Sequence, residues 1–317
     1  MSSTRTPAPP TGGAGVRRSG RKFSVLTGQD RVVLGLMVGI PTFMVVFFVI
    51  IPMIASTILS FTQWNGIGGF AAIKFVGLQN YIDLVTVYIP FFPALTHNLI
   101  WLGFFLFIAT PIGIFFAVLL DKEMRGTRFY QGALYLPVVL SLAIVGFIWQ
   151  LQYAPEQGLI NNVLGTTRQD NLISWLGDPS LNLWAVLVAA SWRHVGYVMI
   201  LYLAGLKSVD PTLKEAAAID GAGEVDTFRR VVFPVMRPIN IVILVITVIE
   251  SLRAFDLAFI VNKGLNGLEL LSTLVTNNII GETSRIGFGS AIAVVLLVVS
   301  VGPILFYLTR ALREDNP

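Results

Sequence analysis

The chain has 317 residues, of which 55% are apolar and 13% charged, with a mean hydropathy of +0.75 and a formal net charge of +4. A soluble domain carries about 25% charged residues, so this composition excludes an ordinary soluble domain and a disordered chain, and favours a membrane protein. The absence of cysteine and the presence of only two histidines exclude disulfides, thiolate zinc, iron–sulfur clusters and a histidine metal cage. We therefore expect no metal site.

The first residues are rich in Ser, Pro, Gly and Arg and contain few large apolar side chains. Such a segment buries too little apolar surface to fold, so residues 1–31 are predicted to be a disordered basic tail. Residues 32–310 are predicted to form one transmembrane domain, and residues 311–317 a short C-terminal tail.

Four stretches lack Asp, Glu, Lys and Arg over a length that crosses roughly 30 Å of hydrocarbon. These stretches are residues 32–59, 99–120, 133–151 and 286–309. Two further apolar stretches, residues 181–206 and 239–260, are interrupted by charged side chains. We therefore predict an all-α integral membrane protein with six transmembrane helices.

An even number of spans places both termini on one side of the membrane. Of the 22 Lys and Arg, 16 then lie on the side of the termini, five lie on the opposite side, and Arg193 lies within a span. Because Lys and Arg collect in short cytoplasmic loops, both termini of this multi-pass protein are predicted to be cytoplasmic.

The most informative segment is residues 210–238, between the predicted fourth and fifth spans, here called the elbow. Asp210, which precedes a proline, predicts the start of a helix, and Gly221 predicts its end and a turn. A second short helix is predicted over residues 224–233, ended by Pro234. The elbow is thus predicted to be a bent pair of short helices at the cytoplasmic surface.

The elbow resembles the EAA loop of bacterial ABC importer permeases, whose pattern is E-A-A, three residues, G, nine residues, I, one residue, L-P. In this chain the pattern falls on Glu215, Ala216, Ala217, Gly221, Val231, Phe233 and Pro234, with Val for Ile and Phe for Leu. The longer form E-A-A-x-I-D-G-A, at residues 215–222, is similar to the carbohydrate-importer branch that includes the maltose and glycerol-3-phosphate permeases. Four other stretches resemble the same family, namely residues 75–81, 94–98, 125–130 and 287–292.

In that family the helix pair docks into a cleft of a cytoplasmic ATP-hydrolysing subunit. The docking residues that the resemblance implies are Glu215, Ala216, Ala217, Asp220, Gly221 and Pro234. This chain has no G-x-x-x-x-G-K-[ST] phosphate loop, so we expect it to be no enzyme and to hold no cofactor, with ATP and magnesium bound by the partner ATPase.

The resemblance also implies the partners and the location of the chain. We expect two copies of the ATP-binding subunit, a second homologous permease subunit, an extracytoplasmic solute-binding protein and a small-molecule sugar substrate. The chain is expected in the bacterial inner membrane among lipid, and no nucleic acid is expected to bind.

Charged groups near the centre of a bilayer are costly and mark either function or pairing. Arg193 in the fourth span and Glu250 in the fifth come to a depth of roughly 17 Å from opposite faces, so they could meet. Glu250 with Arg253, and Arg253 with Asp256, are also i,i+3 neighbours that could pair along one helix. These groups are therefore interpreted in two ways, as a structural ion-pair network or as the polar lining of a sugar cavity.

The resemblance supports the second location, because in the maltose-type permeases these two helices hold the sugar near the membrane centre. The candidate substrate-binding residues are Trp192, Arg193, Tyr197, Glu250, Arg253 and Asp256. For Trp192 and Tyr197, packing against neighbouring helices is the simpler interpretation.

Three functions are compatible with these features. The first is a permease subunit that forms half of an ATP-driven translocation path and works by alternating access. The second is an ion-coupled secondary transporter that uses Arg193, Glu250 and Asp256, which leaves the elbow without a purpose. The third is a membrane-embedded enzyme. The sequence places no paired carboxylates, Ser-His arrangement or metal ligands at one predicted depth, so no catalytic residue is predicted.

Overall fold

The structure is a computed structural model that describes residues 27–122, 125–166, 171–281 and 284–314. The chain divides into two compact units, residues 1–53 and 54–317. In the first unit, helix α1 (Gly28–Val45) leads into a π-helical turn (Val46–Ile50) and the start of helix α2 (Ile51–Leu59).

Helix α1 begins inside the segment predicted to be a tail. The Asp30 amide donates to the Thr27 hydroxyl at 3.2 Å, and the Thr27 amide donates to the Asp30 carboxylate at 2.9 Å. This reciprocal cap satisfies amide groups that a helix start leaves free, so the helix begins at Gly28 rather than at Val32. Residues 1–26 of the predicted tail lie outside the described residues.

The second unit contains a short antiparallel hairpin of strands β1 (Thr62–Gln63) and β2 (Lys74–Phe75), in which Thr62 pairs with Phe75. The helices after α2 are α3 (Gln79–Thr86), α4 (Phe91–Phe104), α5 (Thr110–Asp121), α6 (Thr127–Val139), α7 (Leu142–Gln152), α8 (Leu159–Leu164), α9 (Asn182–Ser208), α10 (Pro211–Ile219), α11 (Glu224–Thr227), α12 (Phe233–Val235), α13 (Arg237–Leu252), α14 (Asp256–Asn262), α15 (Leu271–Ile280) and α16 (Ile286–Glu314). A π-helical turn, Phe105–Ala109, joins α4 to α5, and another, Phe228–Val232, joins α11 to α12.

Four helical stretches of the described chain are long and apolar enough to cross a membrane: Gly28–Leu59, Phe91–Asp121, Asn182–Ser208 and Ile286–Leu305. In two further cases, two neighbouring helices are long enough to cross a membrane only when they are taken together, and each of these pairs is bent. The bends are 103° between α6 and α7, and 78° between Glu224–Val235 and Arg237–Asn262. Four spans are therefore present by length and composition, or up to six if each bent pair counts as one.

The third predicted span, residues 133–151, is not one straight helix. Leu140 is extended (φ −72°, ψ 143°), and the Ser141 hydroxyl accepts from the Ile144 amide at 3.3 Å at the start of α7. Pro137 inside α6 removes one helical hydrogen bond, and Ser141 supplies a cap for a new helix. The uncharged run predicted the apolar segment but not its bend.

Helix α16 continues to Glu314, beyond Thr309, where the last uncharged stretch ends. No glycine or proline lies between Thr309 and Glu314 to end the helix earlier.

Helices α5 and α9 pack closely because a glycine lies between them. A Cβ on Gly113 would lie 2.7 Å from the Cβ of Val198 and 2.9 Å from the carbonyl oxygen of Val195. Small residues permit this close approach of two backbones in membrane proteins. Helix α5 is therefore held against α9 along its length.

Two buried apolar clusters both include residues of α9. The elbow cluster joins α5 and α9 to the elbow and α13, and consists of Ala117, Leu120, Val198, Met199, Tyr202, Leu203, Leu206, Val209, Val232, Met236 and Ile243. The cavity cluster joins α4, α7, α9 and α14, and includes Trp101, Phe105, Val145, Leu187, Ala190, Leu257 and Ala258. The two clusters frame the polar groups described next.

Candidate functional site

A cavity of about 230 Å³ opens between α4, α9 and the junction of α13 with α14. Its lining residues are Trp101, Phe105, Leu142, Ala190, Arg193, His194, Ile249, Glu250, Arg253, Ala254, Phe255, Asp256 and Leu257. An apolar wall with a few convergent polar groups is the usual form of a small-molecule site. Four of the six candidate substrate-binding residues line it.

Glu250 is the centre of an ion-pair network at this cavity. The Nη1–H of Arg193 donates to Glu250 Oε1 at 3.4 Å, and the Nδ1–H of His194 donates to Glu250 Oε2 at 2.8 Å. Arg193 and Glu250, whose predicted depths allowed them to meet, are thus in contact. The Glu250 and Arg193 side chains are 30% and 26% exposed, while His194 is 1% exposed.

Two threonines extend this network to a third helix. The Thr110 hydroxyl on α5 lies 3.1 Å from His194 Nε2, and the Thr247 hydroxyl on α13 lies 3.3 Å from Thr110 Oγ1 and donates to the Ile243 carbonyl at 2.8 Å. A carboxylate only accepts hydrogen bonds, so His194 Nδ1 carries a hydrogen and donates it to Glu250. The network therefore joins α5, α9 and α13.

Sequence reasoning did not predict the roles of Thr110 and Thr247. The available signal was a hydroxyl within an otherwise apolar helix, which needs a partner when buried. That signal does not identify the partner, because a buried threonine can donate within its own helix, as Thr247 does to the carbonyl four residues earlier.

The suggested i,i+3 pairs do not form. Helix α13 ends at Leu252, and α14 begins at Asp256, so Arg253 lies in the break between them. Across the described parts of the chain, neither Arg253 nor Asp256 has an ion pair within 4.0 Å, and both line the cavity. The break thus turns these two charges toward the cavity rather than toward each other.

The two aromatic candidates lie away from the cavity lining. The Trp192 ring packs edge-on against Trp149 with centroids 5.9 Å apart, and Tyr197 is half-buried on α9. Both positions agree with packing, the simpler interpretation of these residues.

The first elbow helix has the predicted boundaries. The Thr212 amide donates to the Asp210 carboxylate at 2.9 Å, and this backbone hydrogen bond lowers the pKa of Asp210 from its usual value. Helix α10 then ends before Gly221, which has a φ of +80°. Only glycine adopts this left-handed conformation without steric cost, so Gly221 sets the turn between the two elbow helices.

The second elbow helix was predicted to end at Pro234, but it continues past this residue. Helix α11 continues through the π-helical turn into α12, and helical backbone extends to Val235. In this turn the Phe233 amide donates to the Phe228 carbonyl, five residues back. Pro234 lacks an N–H and so removes one hydrogen bond from this continuous segment without ending it.

The residues implied in docking are mostly exposed. Glu215, Ala216, Asp220, Gly221 and Pro234 are exposed, and Ala217 is buried. Two large apolar side chains beside the turn are exposed to solvent, Ile219 at 86% and Val225 at 80%. The elbow thus presents small and apolar groups together with exposed carboxylates, among them Glu215 and Asp220.

Residues 85–314 match the family described as "Binding-protein-dependent transport system inner membrane component". The chain belongs to this family. It is a permease subunit of an ABC importer, a multi-pass membrane component that is not itself catalytic. This family does not favour the ion-coupled alternative.

Three relatives illustrate the similarity. The chain is 31% identical over 255 residues to the xylose/arabinose import permease protein XacH of Haloferax volcanii, covering 78% of this chain and 79% of that protein. It is 30% identical over 268 residues to the probable ABC transporter permease protein YurN of Bacillus subtilis, covering 83% and 90%. The arabinooligosaccharides transport system permease protein AraP of Halalkalibacterium halodurans is 29% identical over 317 residues, covering 95% and 94%.

A solved structure has the same fold. A chain of a bacterial ABC transporter involved in the import of the acidic polysaccharide alginate superposes with a TM-score of 0.76, at 21% identity, over 90% of this chain and 96% of that chain. The same transporter type in complex with an alginate pentasaccharide-bound periplasmic protein also matches with a TM-score of 0.76.

Proposed function

We propose that this chain carries a sugar or sugar derivative and forms half of the translocation path. The elbow carries this proposal, because the E-A-A and glycine spacing lies on an exposed helix pair whose first helix is capped by Asp210. The substrate class is supported by relatives named for xylose and arabinose, starch degradation products and arabinooligosaccharides. In the proposed topology each bent helix pair counts as one span, which gives six spans and two cytoplasmic termini.

The elbow is the proposed docking element for the ATPase. Glu215, Ala216, Ala217, Asp220, Gly221 and Pro234 are proposed to form the contact. Ile219 and Val225 support this role, because exposed apolar side chains rimmed by polar groups mark interaction sites. Two copies of the ATPase, holding ATP and magnesium, a second permease subunit and a solute-binding protein complete the proposed complex.

The cavity is the proposed sugar site. Sugar hydroxyls both donate and accept hydrogen bonds. The guanidinium of Arg253 and the carboxylate of Asp256, which have no ion-pair partner among the described residues, therefore suit direct contact. Arg193 and Glu250 already satisfy one another in part, and we propose that they shape the cavity wall. Opposite charges of equal number favour a neutral sugar at this site.

Reconstitution in proteoliposomes tests this function. Purified chain, ATPase, second permease and binding protein are supplied with ATP, and uptake of radiolabelled xylose, arabinose, maltose and arabinooligosaccharides is measured. Glu215→Ala combined with Gly221→Pro is expected to abolish sugar-stimulated ATP hydrolysis. Glu156→Ala, which removes an exposed carboxylate outside the elbow, is the matched control and is expected to have no effect.

Two outcomes contradict the proposal. Uptake that persists without ATP and collapses with a proton uncoupler would assign the chain to ion-coupled transport. ATP hydrolysis that remains unchanged in the elbow variant would show that the elbow does not couple the ATPase to the spans.

A further inference from the structure

The end of α5 forms two ion pairs with the elbow and one with the end of α9. Asp121, the last residue of α5, accepts from Lys214 Nζ of α10 at 3.1 Å and lies 3.8 Å from Lys207 Nζ of α9. The next residue, Lys122, donates to Glu224 Oε2 of α11 at 2.6 Å. One end of a span therefore contacts both short elbow helices and the helix that leads into them.

Of these charged residues, Asp121 is the best placed to fix the position of α5 relative to α10. Its side chain is 20% exposed, whereas Lys122 and Glu224 are 51% and 82% exposed. Exposed pairs contribute little, and partial burial together with a second cationic partner strengthens the attraction. Asp121 thus fixes the distance from α5 to α10 more firmly than the outer pair does.

Apolar contacts also hold the elbow against α5 and α9. Ala117 and Leu120 of α5 lie in the elbow cluster with Val232 and Met236 of the elbow. A Cβ on Gly205 would lie 2.6 Å from the Met236 side chain, which shows how closely α9 approaches this segment. The elbow is therefore packed against α5 and α9 as well as joined to α5 by charge.

The other end of α5 reaches the cavity. Helix α5 has 12 residues, which corresponds to about 18 Å at 1.5 Å per residue. Its first residue, Thr110, contacts His194, which donates to Glu250. A continuous set of contacts thus runs from Lys214 through Asp121 and α5 to the cavity carboxylate.

We propose that Asp121 is a positioning residue that transmits displacement of the elbow to the cavity through α5. It keeps α10 and α5 together, so that a movement imposed on the elbow shifts Thr110 and, through His194, the Glu250 carboxylate. This inference rests on the proposed function, because the movement is imposed by the docked ATPase. A rigid element that both sites bias is the physical requirement for such coupling.

Asp121→Asn tests this role in the reconstituted complex. Its matched control is Asp226→Asn, which removes the same charge from the elbow, but whose partner Arg230 lies in the same helical segment at 3.3 Å. The amount of sugar transported per ATP hydrolysed is measured for both variants. A fall of roughly threefold to tenfold is expected for Asp121→Asn, and no fall for the control.

If the Asp121→Asn chain does not assemble into the complex, Lys214→Gln tests the same ion pair from its other side. This variant leaves Asp121 with Lys207, and a smaller fall in the same ratio is expected. An unchanged ratio in an assembled Asp121→Asn or Lys214→Gln complex overturns the inference. A wild-type chain that recruits no ATPase overturns the proposed function as well, so the two failures are distinguishable.

A cross-link provides a second readout that loss of stability does not mimic. The chain contains no cysteine, so Lys122→Cys with Glu224→Cys introduces one defined pair, which a bismaleimide can join. If α5 and the elbow move together, the linked complex is expected to transport as fast as the same variant before linking. Loss of transport on linking would show that the two must separate, and would overturn the inference.

Discussion

The cavity and the elbow both contain ion pairs, but the two regions differ in how far their charges are exposed. At the cavity, Glu250 is 30% exposed and holds a histidine that is 1% exposed. At the elbow, the pair between Lys122 and Glu224 is 51% and 82% exposed. Removing one partner of a buried pair leaves an uncompensated charge, whereas exposed pairs contribute little to stability.

This difference separates two roles of charge in one protein. Substitutions within the ion-pair network of Glu250 should mainly change the stability of the helix bundle. Substitutions at the elbow should mainly change how ATP hydrolysis is converted into transport, with the fold nearly unaffected.

The largest effect is expected from Glu250→Ala. It leaves the Arg193 guanidinium without its carboxylate and the Nδ1–H of buried His194 without an acceptor, which should lower the free energy of unfolding by about 2 kcal/mol. The midpoint of thermal unfolding of the detergent-solubilised chain measures it. Asp256→Ala, at the same cavity, is the control, and equal losses in the two variants would contradict the network.

A smaller loss is expected from Gly113→Ala, at the contact between α5 and α9. The added Cβ would lie 2.7 Å from Val198, and overpacking of this kind costs about 1–3 kcal/mol. Gly103→Ala is the matched control, because no heavy atom lies within 4 Å of its Cβ position. Unchanged thermal unfolding of Gly113→Ala would mean that α5 is not held against α9, and would weaken the connection between the cavity and the elbow.

Gly221→Ala should affect the turn of the elbow. Nothing lies within 4 Å of the added Cβ, so the cost comes from the φ of +80° alone and amounts to about 1 kcal/mol. Gly223→Ala is the control, since Gly223 has a φ of −70° and equally open surroundings. We expect sugar transported per ATP to fall only for Gly221→Ala; equal ratios would show that the turn geometry does not matter for coupling.

The smallest effect is a pH dependence of the first elbow helix. The pKa of Asp210 is lowered in the folded chain by the Thr212 amide, so its contribution is present above the unfolded-state pKa and is lost as pH falls through the lowered value. The protection factors of the amides of residues 212–214, which are measured relative to the intrinsic exchange rate at each pH, should therefore fall in acid. Asp210→Asn keeps a cap but cannot titrate, and it should remove this change; an identical acid response in both chains would exclude Asp210 as its origin.

Much of the candidate site was accessible from sequence because charge is scarce in this chain. Arg193 and Glu250 stood out in apolar helices, and depth alone indicated that they could meet. The pairing of Arg253 was wrong because it assumed that the fifth span continues as a helix, whereas α13 stops at Leu252. Nothing local to Thr110 or Asp121 indicated their partners, which lie far along the chain.

The sequence by itself determined the apolar segments, the helix cap at Asp210 and the turn at Gly221, because each depends on the chemistry of neighbouring residues. The tertiary structure alone decided that α6 and α7 bend by 103°, that the second elbow helix passes through Pro234, and that Thr110, His194 and Glu250 share one network. These features arise from packing between helices that are distant in sequence, where the space and partners available to a side chain are set by the assembled bundle.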